Sequence, residues 1–253
     1  MEYSNLSVSP VIKVDRLALT YQSAEGETEA VADVSFSVNE GEIVSMIGPS
    51  GCGKSTVLSI ISGLLSPTSG SVALRDGGRI GYMLQKDSLF PWRTIYKNVM
   101  LGSEITGTSC TDCAEQLLKT YGLWDFRDNF PAQLSGGMRQ RAALIRTLAI
   151  QPSLLLLDEA FSALDYQTRL AVADDIHSII RREKKTALMV THDISEAIAM
   201  SDRVIVLTQR PARIKSVYSI NFGEPRPSPL KCRDHPSFRD YFNSIWRDYD
   251  VHV

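Results

Sequence analysis

Residues 48–55 constrain the fold of this chain more than any other segment, because they form a glycine-rich loop that ends in Lys54 and Ser55. Their sequence, Gly-Pro-Ser-Gly-Cys-Gly-Lys-Ser, matches the GxxxxGK[ST] pattern of phosphate-binding loops. Glycines let successive backbone amides turn toward one anion, and the next helix adds the positive end of its dipole. An apolar run, residues 43–47, precedes the loop, and helically spaced apolar residues follow it. The segment therefore predicts a strand, a phosphate loop and a helix.

This phosphate loop predicts binding of a nucleoside triphosphate. We expect Lys54 to reach the β- and γ-phosphates and the Ser55 hydroxyl to bind Mg²⁺. A chance match in a glycine-rich turn is the alternative, and the strand and helix patterns on either side argue against it. The predicted nucleotide contacts are Gly48, Pro49, Ser50, Gly51, Cys52, Gly53, Lys54, Ser55 and Thr56.

Two adjacent acidic residues, Asp158 and Glu159, follow four consecutive leucines at residues 154–157. This pattern is typical of a buried strand that delivers carboxylates to the edge of a parallel sheet. Asp158 would hold Mg²⁺, directly or through water, and Glu159 would be the general base or polarising group for the attacking water. A strand that ends at its first solvated residues is the plainer interpretation, and the phosphate loop upstream weakens it.

A second glycine-rich segment, residues 134–138, reads Leu-Ser-Gly-Gly-Met and opens another helical pattern. Ser135 is a favourable helix N-cap, and the amides of Gly136 and Gly137 would face an anion beyond the helix start. A plain helix N-terminus with a serine cap is the alternative. Beside the phosphate loop, the segment indicates that a second element of an assembly also grips a phosphate.

Charge and composition exclude several classes of function. Lys and Arg number 27 against 29 Asp and Glu, so no overall basic field would attract nucleic acid or anionic lipid. The basic residues 181–185 are expected to form a solvated helix end that the helix dipole favours. Residues 1–5 lack the start of a secretory signal, and no window is apolar enough for a membrane span. We expect the chain to remain in the cytosol, at most docked on a membrane protein.

The order of apolar patterns predicts an α/β fold with a mostly parallel core sheet. Alternation in residues 11–19 and 31–38 predicts an N-terminal antiparallel β-layer, with the polar residues 23–29 between its strands. Residues 86–150 have mostly helical patterns and predict an inserted helical subdomain. The further predicted strands are residues 43–47, 72–74, 80–84, 153–157, 186–190 and 204–207. The predicted helices are residues 57–65, 95–101, 112–121, 136–150, 168–182 and 194–200.

An aromatic helix is predicted near the end of the chain, after a proline-rich turn. A membrane-surface helix is the alternative, but three aspartates in this stretch oppose binding to anionic lipid, so we expect the helix to pack on the protein. We predict one domain, residues 1–225, and a helical tail, residues 226–253. The residues of the aromatic face are Phe238, Tyr241, Phe242, Ile245, Trp246 and Tyr249.

With these motifs in order, the chain resembles the ABC-type ATPases, the nucleotide-binding subunits of ATP-driven transporters. The resemblance covers almost the whole length and also includes Tyr21, Gln85, Asp165 and His192. It implies a P-loop ABC-ATPase fold that hydrolyses ATP with Mg²⁺. It also implies a second ATPase subunit, with a homodimer expected, in which residues 134–138 of one copy contact the γ-phosphate held by the other.

The resemblance assigns a role to each of the four single residues. Tyr21 would stack on adenine, or it is simply a strand-end tyrosine. Gln85 would touch Mg²⁺ or the attacking water and sense the transport partner. Asp165 belongs to a loop that would cross the dimer interface beside the partner's phosphate loop. His192 would contact the γ-phosphate and position the water, although a lone histidine at a strand end is usually structural.

Residues 87–94, residues 209–214 and the aromatic tail look like the ATPases of nitrate, sulfonate and taurine importers. This implies a peripheral protein on the cytoplasmic face of the membrane that drives uptake of a small solute, an anion such as nitrate, sulfonate or taurine. Transmembrane permease subunits and an extracytoplasmic solute-binding protein would be separate chains. Residues 87–94 would receive a coupling helix of the permease, or would pack inside the helical subdomain.

Two other classes of function remain as alternatives. A non-transport ABC ATPase acts on nucleic acid, on ribosomes or in cofactor assembly, and such proteins usually carry a coiled coil, zinc elements, fused copies or a basic face, which this sequence lacks. A P-loop kinase or switch GTPase would leave residues 134–138 without a role. Transport is therefore favoured, and no nucleic-acid partner is expected.

Overall fold

The chain folds around two β-sheets. The computed structural model describes residues 9–24, 26–107, 111–162 and 164–249. One sheet has three antiparallel strands, and the other has six strands that are mostly parallel. Within the described residues, no helix combines the length and the apolar sequence that are needed to cross a bilayer.

The three-stranded sheet lies at the start of the chain and confirms the predicted antiparallel layer. Its strands run in the order β2-β1-β4, and the prediction that residues 23–29 separate two strands is wrong. Ser23 pairs with Gly26, so the strands continue almost to the turn. Their side chains are exposed there, and because backbone pairing does not require apolar side chains, the hydrophobic pattern gave no sign of it. The strands are β1 (Ile12–Ser23), β2 (Gly26–Val38) and β4 (Ser69–Leu74).

The six-stranded sheet has the order β5-β6-β7-β3-β8-β9. Every neighbouring pair is parallel except β8 and β9, so the predicted mostly parallel core sheet is confirmed. Its strands are β3 (Ile43–Ile47), β5 (Ile80–Met83), β6 (Leu154–Asp158), β7 (Thr186–Val190), β8 (Arg203–Leu207) and β9 (Ile214–Ser219).

The sequence did not predict β9. Its residues alternate between half-buried and exposed, but the half-buried positions include Ser216, whereas Val217 is exposed. An edge strand is bonded on one side only, so weak patterning of this kind is enough to hold it against β8.

The helices follow the predicted order with two differences. The first ends at Ile61, before the predicted residue 65, because the chain turns at Gly63 with φ 78°. The predicted helix 95–101 is divided at Met100. The helices are α1 (Lys54–Ile61), α2 (Ile95–Val99), α3 (Leu101–Thr106), α4 (Thr111–Thr120), α5 (Gly136–Ala149), α6 (Tyr166–Arg182), α7 (Ile194–Met200), α8 (Pro229–Cys232) and α9 (Pro236–Asp248).

The leucine run in β6 shows how the layers are built around the parallel sheet. Leu155 and Leu157 face the apolar core formed with α2, α4, α5 and α6, whereas Leu154 and Leu156 face the core shared with the three-stranded sheet. All four are fully buried. A strand covered on both faces reads as a continuous apolar run, which is why this segment was easy to predict.

The tail helix α9 packs on the main body through a third apolar core. Ile245 is fully buried there with Ile198 of α7 and Val206 of β8. The Tyr218 hydroxyl donates to the Asp248 carboxylate at 2.5 Å and to the Ser244 carbonyl at 3.1 Å. Trp246, in contrast, is 54% exposed, so only part of the aromatic face is covered.

Candidate nucleotide-binding site

The carboxyl ends of four parallel strands bring the predicted catalytic residues to one edge of the sheet. The phosphate loop follows β3, Gln85 follows β5, Asp158 ends β6 and His192 follows β7. These strands are neighbours, in the order β5-β6-β7-β3. Parallel strands end at the same edge, so residues that are distant in sequence meet there.

The phosphate loop holds the Lys54 side chain against its own backbone. The Lys54 ammonium donates to the carbonyls of Gly48 at 2.7 Å and Pro49 at 3.0 Å, and the residue is buried. Gly53 has φ 121°, and a Cβ atom at this position would lie 2.8 Å from the Ala30 carbonyl oxygen. Glycine is therefore required there by both backbone conformation and space.

A cleft of about 310 Å³ lies beside this loop. Tyr21 borders it and is 42% exposed, and its hydroxyl lies 3.3 Å from the Thr56 hydroxyl. An exposed aromatic ring at the rim of a phosphate-binding cleft can stack on a nucleobase. Gly48, Pro49 and Cys52 do not line the cleft, and Cys52 is buried. The lining residues are Tyr21, Ala30, Ser50, Gly51, Gly53, Lys54, Ser55, Thr56, Glu159 and Arg210.

Asp158 is held at the end of β6 by two hydroxyl groups. Ser55 donates to one carboxylate oxygen and Tyr82 donates to the other, each at 3.2 Å. Burial raises the pKa of Asp158, and these hydrogen bonds oppose the shift. Tyr82 was not predicted to belong to the site; its burial and its contact with Asp158 raise the pKa of its phenol to about 12. Its position in the predicted strand 80–84 was the only sign in the sequence, because the pairing of that strand with β6 is visible only in the structure.

Glu159 joins the two other predicted catalytic residues. Its backbone has a left-handed φ of 44°, and its amide donates to the Val190 carbonyl at 2.9 Å. One carboxylate oxygen accepts from the Gln85 amide at 3.2 Å, and the other lies 3.4 Å from His192 Nδ1. Gln85 also donates to the Ser162 hydroxyl at 3.3 Å. The structure thus brings Gln85, Glu159 and His192 together, with Gln85 hydrogen-bonded to one oxygen of Glu159 and His192 beside the other.

The segment of residues 134–138 begins α5, as predicted. Ser135 is the N-cap, and its hydroxyl accepts from the Met138 amide at 3.3 Å. A Cβ atom on Gly137 would lie 2.8 Å from Val172 of α6, and one on Gly136 would lie 3.0 Å from Leu164. Close packing of α5 on α6 is a reason for these glycines that the sequence did not indicate.

Asp165 caps the next helix in the same manner. Its carboxylate accepts from the Thr168 amide at 3.1 Å, and its hydrogen bonds with Thr168 lower its pKa. Asp165 and Ser135 are both exposed. Neither residue lines the cleft beside the phosphate loop, so within one chain these two predicted nucleotide contacts lie outside it.

Two further residues near the phosphate loop come from the C-terminal part of the chain and were not predicted. Arg210 donates to the Gly51 carbonyl from Nε at 3.2 Å and from Nη2 at 2.9 Å. The Tyr249 hydroxyl donates to the Gly48 carbonyl at 3.0 Å. Contacts over about 160 and 200 residues of sequence leave no local pattern, and only the aromatic spacing around Tyr249 was visible.

Comparison with known proteins gives one consistent picture. The family described as ABC transporter matches residues 31–162. An uncharacterised ABC transporter ATP-binding protein of Bacillus subtilis is 46% identical over 94% of this chain and 95% of its own length. The taurine import ATP-binding protein TauB of Roseobacter denitrificans is 36% identical over 93% of this chain and 94% of its own. The nitrate import ATP-binding protein NrtD of a Synechocystis strain is also 36% identical, over 92% and 93%.

Solved structures agree with these sequence matches. The dimeric structure of the bacterial ABC transporter cassette MJ0796 is 32% identical, with a TM-score of 0.69, over 84% of this chain and all of that one. A dimeric post-hydrolysis state of the same cassette, bound to ADP and Pi, gives the same TM-score and coverage at 30% identity.

Proposed function

Since the chain belongs to the ABC transporter ATP-binding proteins, we propose that it is the ATPase of an importer for a small solute, an anion such as nitrate, sulfonate or taurine. ATP hydrolysis follows from the family and is supported by the contacts of Gln85 and His192 with Glu159. Import is supported by the similarity to proteins that are described as taurine and nitrate import subunits. The single observation that carries the ATPase mechanism is that Glu159 lies beside both Gln85 and His192 at the edge of the nucleotide cleft.

In this mechanism Glu159 accepts the proton of the attacking water. Gln85 and His192 contact different oxygens of its carboxylate, so they fix its orientation. His192 is half exposed and contacts the γ-phosphate in the proposed complex. Lys54 moves its ammonium from the Gly48 and Pro49 carbonyls to the phosphates. The amides of residues 48–56 hold the remaining phosphate oxygens, and Tyr21 stacks on adenine.

The residues that would hold Mg²⁺ are Ser55, Asp158 and Gln85. Hydroxyl, carboxylate and amide oxygens are the ligands that Mg²⁺ prefers, and Ser55 Oγ already lies 3.2 Å from Asp158 Oδ1. Burial disfavours an ionised Asp158, and a nearby cation offsets that cost, so the donor set fits the ion. When bound, Mg²⁺ supplies charge neutralisation at the β- and γ-phosphate oxygens.

The second half of the proposed site comes from another copy of the chain. Ser135, Gly136 and Gly137 present a helix N-terminus, which is suited to a phosphate, yet they lie outside the cleft of their own chain. We place them on the γ-phosphate held by the partner, with Asp165 beside the partner's phosphate loop. Two ATP molecules then join a homodimer, and hydrolysis releases it.

The permease is proposed to dock on residues 87–94, which we name the docking segment. Trp92 is 72% exposed, and its ring lies 5.0 Å from the ring of Phe90. The segment is tied to α5, since Arg139 pairs with Asp87 at 3.0 Å and Arg146 donates to the carbonyls of Asp87 and Ser88. Movement of the permease would therefore reach the helix that Ser135 begins. We propose that the subunit, docked on its permease, lies on the cytoplasmic face of the membrane.

The alternative is a non-transport ABC ATPase that acts on nucleic acid or in cofactor assembly. The two importer relatives and the exposed Trp92 favour transport. The overall charge of −2 gives no support to a nucleic-acid partner.

Reconstitution tests the proposed function. The chain is purified with the permease encoded beside it, placed in proteoliposomes and assayed with the neighbouring solute-binding protein and taurine, a sulfonate or nitrate. We expect one of these solutes to be taken up with ATP, and Trp92→Ala to lose uptake while the purified subunit keeps its own ATPase activity. Trp246→Ala, at another exposed tryptophan, is the control. ATP hydrolysis with no bound permease and no uptake of any solute would favour the alternative.

A further inference from the structure

Two backbone carbonyls of the phosphate loop are held by side chains from the last part of the chain. The Gly48 carbonyl accepts from Lys54 at 2.7 Å and from the Tyr249 hydroxyl at 3.0 Å. The Gly51 carbonyl accepts two hydrogen bonds from the Arg210 guanidinium. Carbonyl oxygens carry partial negative charge, so a loop that must bind phosphates needs its carbonyls paired and turned away from the anion.

Tyr249 is placed firmly enough to hold such a carbonyl. It follows α9, and its own amide donates to the Ile245 carbonyl at 2.8 Å. Ile245 is fully buried, and Tyr218 bonds to Asp248 and Ser244 in the same helix. Burial raises the pKa of the Tyr249 phenol, so the phenol keeps the proton that it donates.

The Gly48 carbonyl has two donors, Lys54 and Tyr249. The Lys54 ammonium carries three protons, so once it donates to both the β- and the γ-phosphate it keeps at most one of its contacts with the Gly48 and Pro49 carbonyls. Gly48 is buried, and a Cβ atom there would lie 2.9 Å from Cys52 Sγ and 3.1 Å from Leu207. A buried acceptor in such close packing is costly to leave without a partner, so the Tyr249 hydroxyl is the group that keeps it paired.

Arg210 acts on the middle of the loop, at the Gly51 carbonyl. It lies in the connection between β8 and β9, which is itself fixed to β2 because Ala212 and Ala30 form a backbone hydrogen bond of 3.0 Å. Its guanidinium lines the nucleotide cleft with Ser50 and Gly51. The two bonds to one carbonyl orient Gly51, and the fixed positive charge favours an anion in the cleft.

We propose that Tyr249 and Arg210 are positioning residues for the phosphate loop, which keep the Gly48 and Gly51 carbonyls paired while Lys54 engages ATP. The β8–β9 connection and the tail after β9 thereby set the affinity for ATP. This inference rests on the proposed role of the phosphate loop in holding ATP.

Tyr249→Phe tests the first contact, because it removes one hydroxyl and little else. We expect the Kd for a fluorescent ATP analogue and the KM for ATP to rise about tenfold, while kcat at saturating ATP changes less than about twofold. The melting temperature without nucleotide should change little, since Lys54 still pairs with Gly48. A purely structural tyrosine would show the reverse, a lower melting temperature with unchanged Kd.

Tyr241→Phe is the matched control, because the Tyr241 hydroxyl contacts Asn221 rather than the phosphate loop. It should leave the Kd unchanged. An equal Kd in Tyr249→Phe and the parent protein would overturn the inference. If the parent protein itself fails to bind ATP, the proposed function fails as well, and this outcome is distinct.

Arg210→Gln tests the second contact. We expect about fivefold weaker ATP binding from the loss of a fixed positive charge and two hydrogen bonds, with partial rescue by Arg210→Lys, which retains the charge. Arg213→Gln, in the same connection, is the control. Unchanged affinity in Arg210→Gln would exclude Arg210 from the proposed role.

Discussion

The two halves of the proposed ATP site differ in how complete they are within one chain. In the phosphate-loop half, functional side chains contact one another: Ser55 bonds to Asp158, and Glu159 contacts both Gln85 and His192. In the half around Ser135, the polar side chains accept hydrogen bonds only from backbone amides of the helices that they cap. Ser135 accepts from Met138 and Asp165 accepts from Thr168, and both caps are exposed.

The two halves therefore differ in what completes them: the first is completed by contacts within the chain, whereas the second, as proposed, is completed by a phosphate bound to another copy. The phosphate-loop half is assembled by the order of the parallel strands. The Ser135 half is built from helix caps and glycine packing, and in the proposed dimer the amides at its helix start would receive the γ-phosphate held by the partner. The proposed site shared between two chains accounts for this difference, and four substitutions test it.

Glu159→Gln should have the largest effect, because it removes the proton acceptor from the complete half. We expect hydrolysis to fall about 1,000-fold, with ATP binding retained and an ATP-bound dimer accumulating. Phosphate release and light scattering measure the two quantities. Hydrolysis at the parental rate would show that another group is the base.

Ser135→Arg tests the incomplete half and should lower hydrolysis about 100-fold, because a long cation replaces a phosphate contact. Ser178→Arg, at another exposed helical serine, is the control. Mixing Ser135→Arg with Lys54→Ala is the sharper experiment, since a mixed dimer contains one site built from two intact halves. We expect the mixture to regain hydrolysis. A monomer of the parent protein that hydrolyses ATP at the full rate would refute the shared site.

Glu196→Gln tests the electrostatics beside the His192 loop. Burial, and secondly the charge of Asp193, raises the pKa of Glu196 to about 7 from an ordinary 4.5. The folded state therefore binds this proton more tightly than the unfolded state, and the associated stability is lost as the pH rises from about 4.5 through 7. Between pH 5 and pH 8, the parent should lose roughly 2 kcal/mol more unfolding free energy than the variant.

Urea unfolding at the two pH values measures this difference. Glu115→Gln, on the surface of α4 in an ion pair with Lys119, is the matched control and should follow the parent. Parallel pH dependence in Glu196→Gln and the parent would show that Glu196 does not carry the raised pKa.

Gly137→Ala should have the smallest effect, a loss of about 1 kcal/mol in unfolding free energy. Alanine favours helices, but its Cβ atom would lie 2.8 Å from Val172, and overpacking opposes the gain. Adding Val172→Ala should recover part of the loss, which a double-mutant cycle measures. A stabilised Gly137→Ala variant would mean that these glycines are not required by packing.

Much of the fold could be predicted because strong local patterns coincide with its elements. The leucine run of β6, buried on both faces, and the Ser135 cap of α5 are visible in a few residues. The weaker elements were missed for physical reasons. The turn end of β1 and β2 pairs through the backbone with exposed side chains, and β9 needs only one neighbour at the sheet edge.

The candidate site divides in the same way. Residues within the phosphate loop and the paired acids were predicted, because each motif carries its chemistry in adjacent positions. Tyr82, Arg210 and Tyr249 were not predicted, because their partners lie 76, 159 and 201 residues away in sequence. Long-range contacts of this kind depend on strand order and on where the tail packs.

The chemical groups of the site could be identified from the amino-acid sequence alone: a phosphate-loop motif, a carboxylate pair at a strand end and a second glycine-rich helix start. These follow from short-range geometry, since a few adjacent residues set the backbone conformation and the available atoms. Which of these groups contact one another depends on the tertiary structure. The order of the parallel strands places Gln85 and His192 on Glu159, and the packing of α9 places Tyr249 on Gly48, because side chains so far apart in sequence are joined by the sheet and the core.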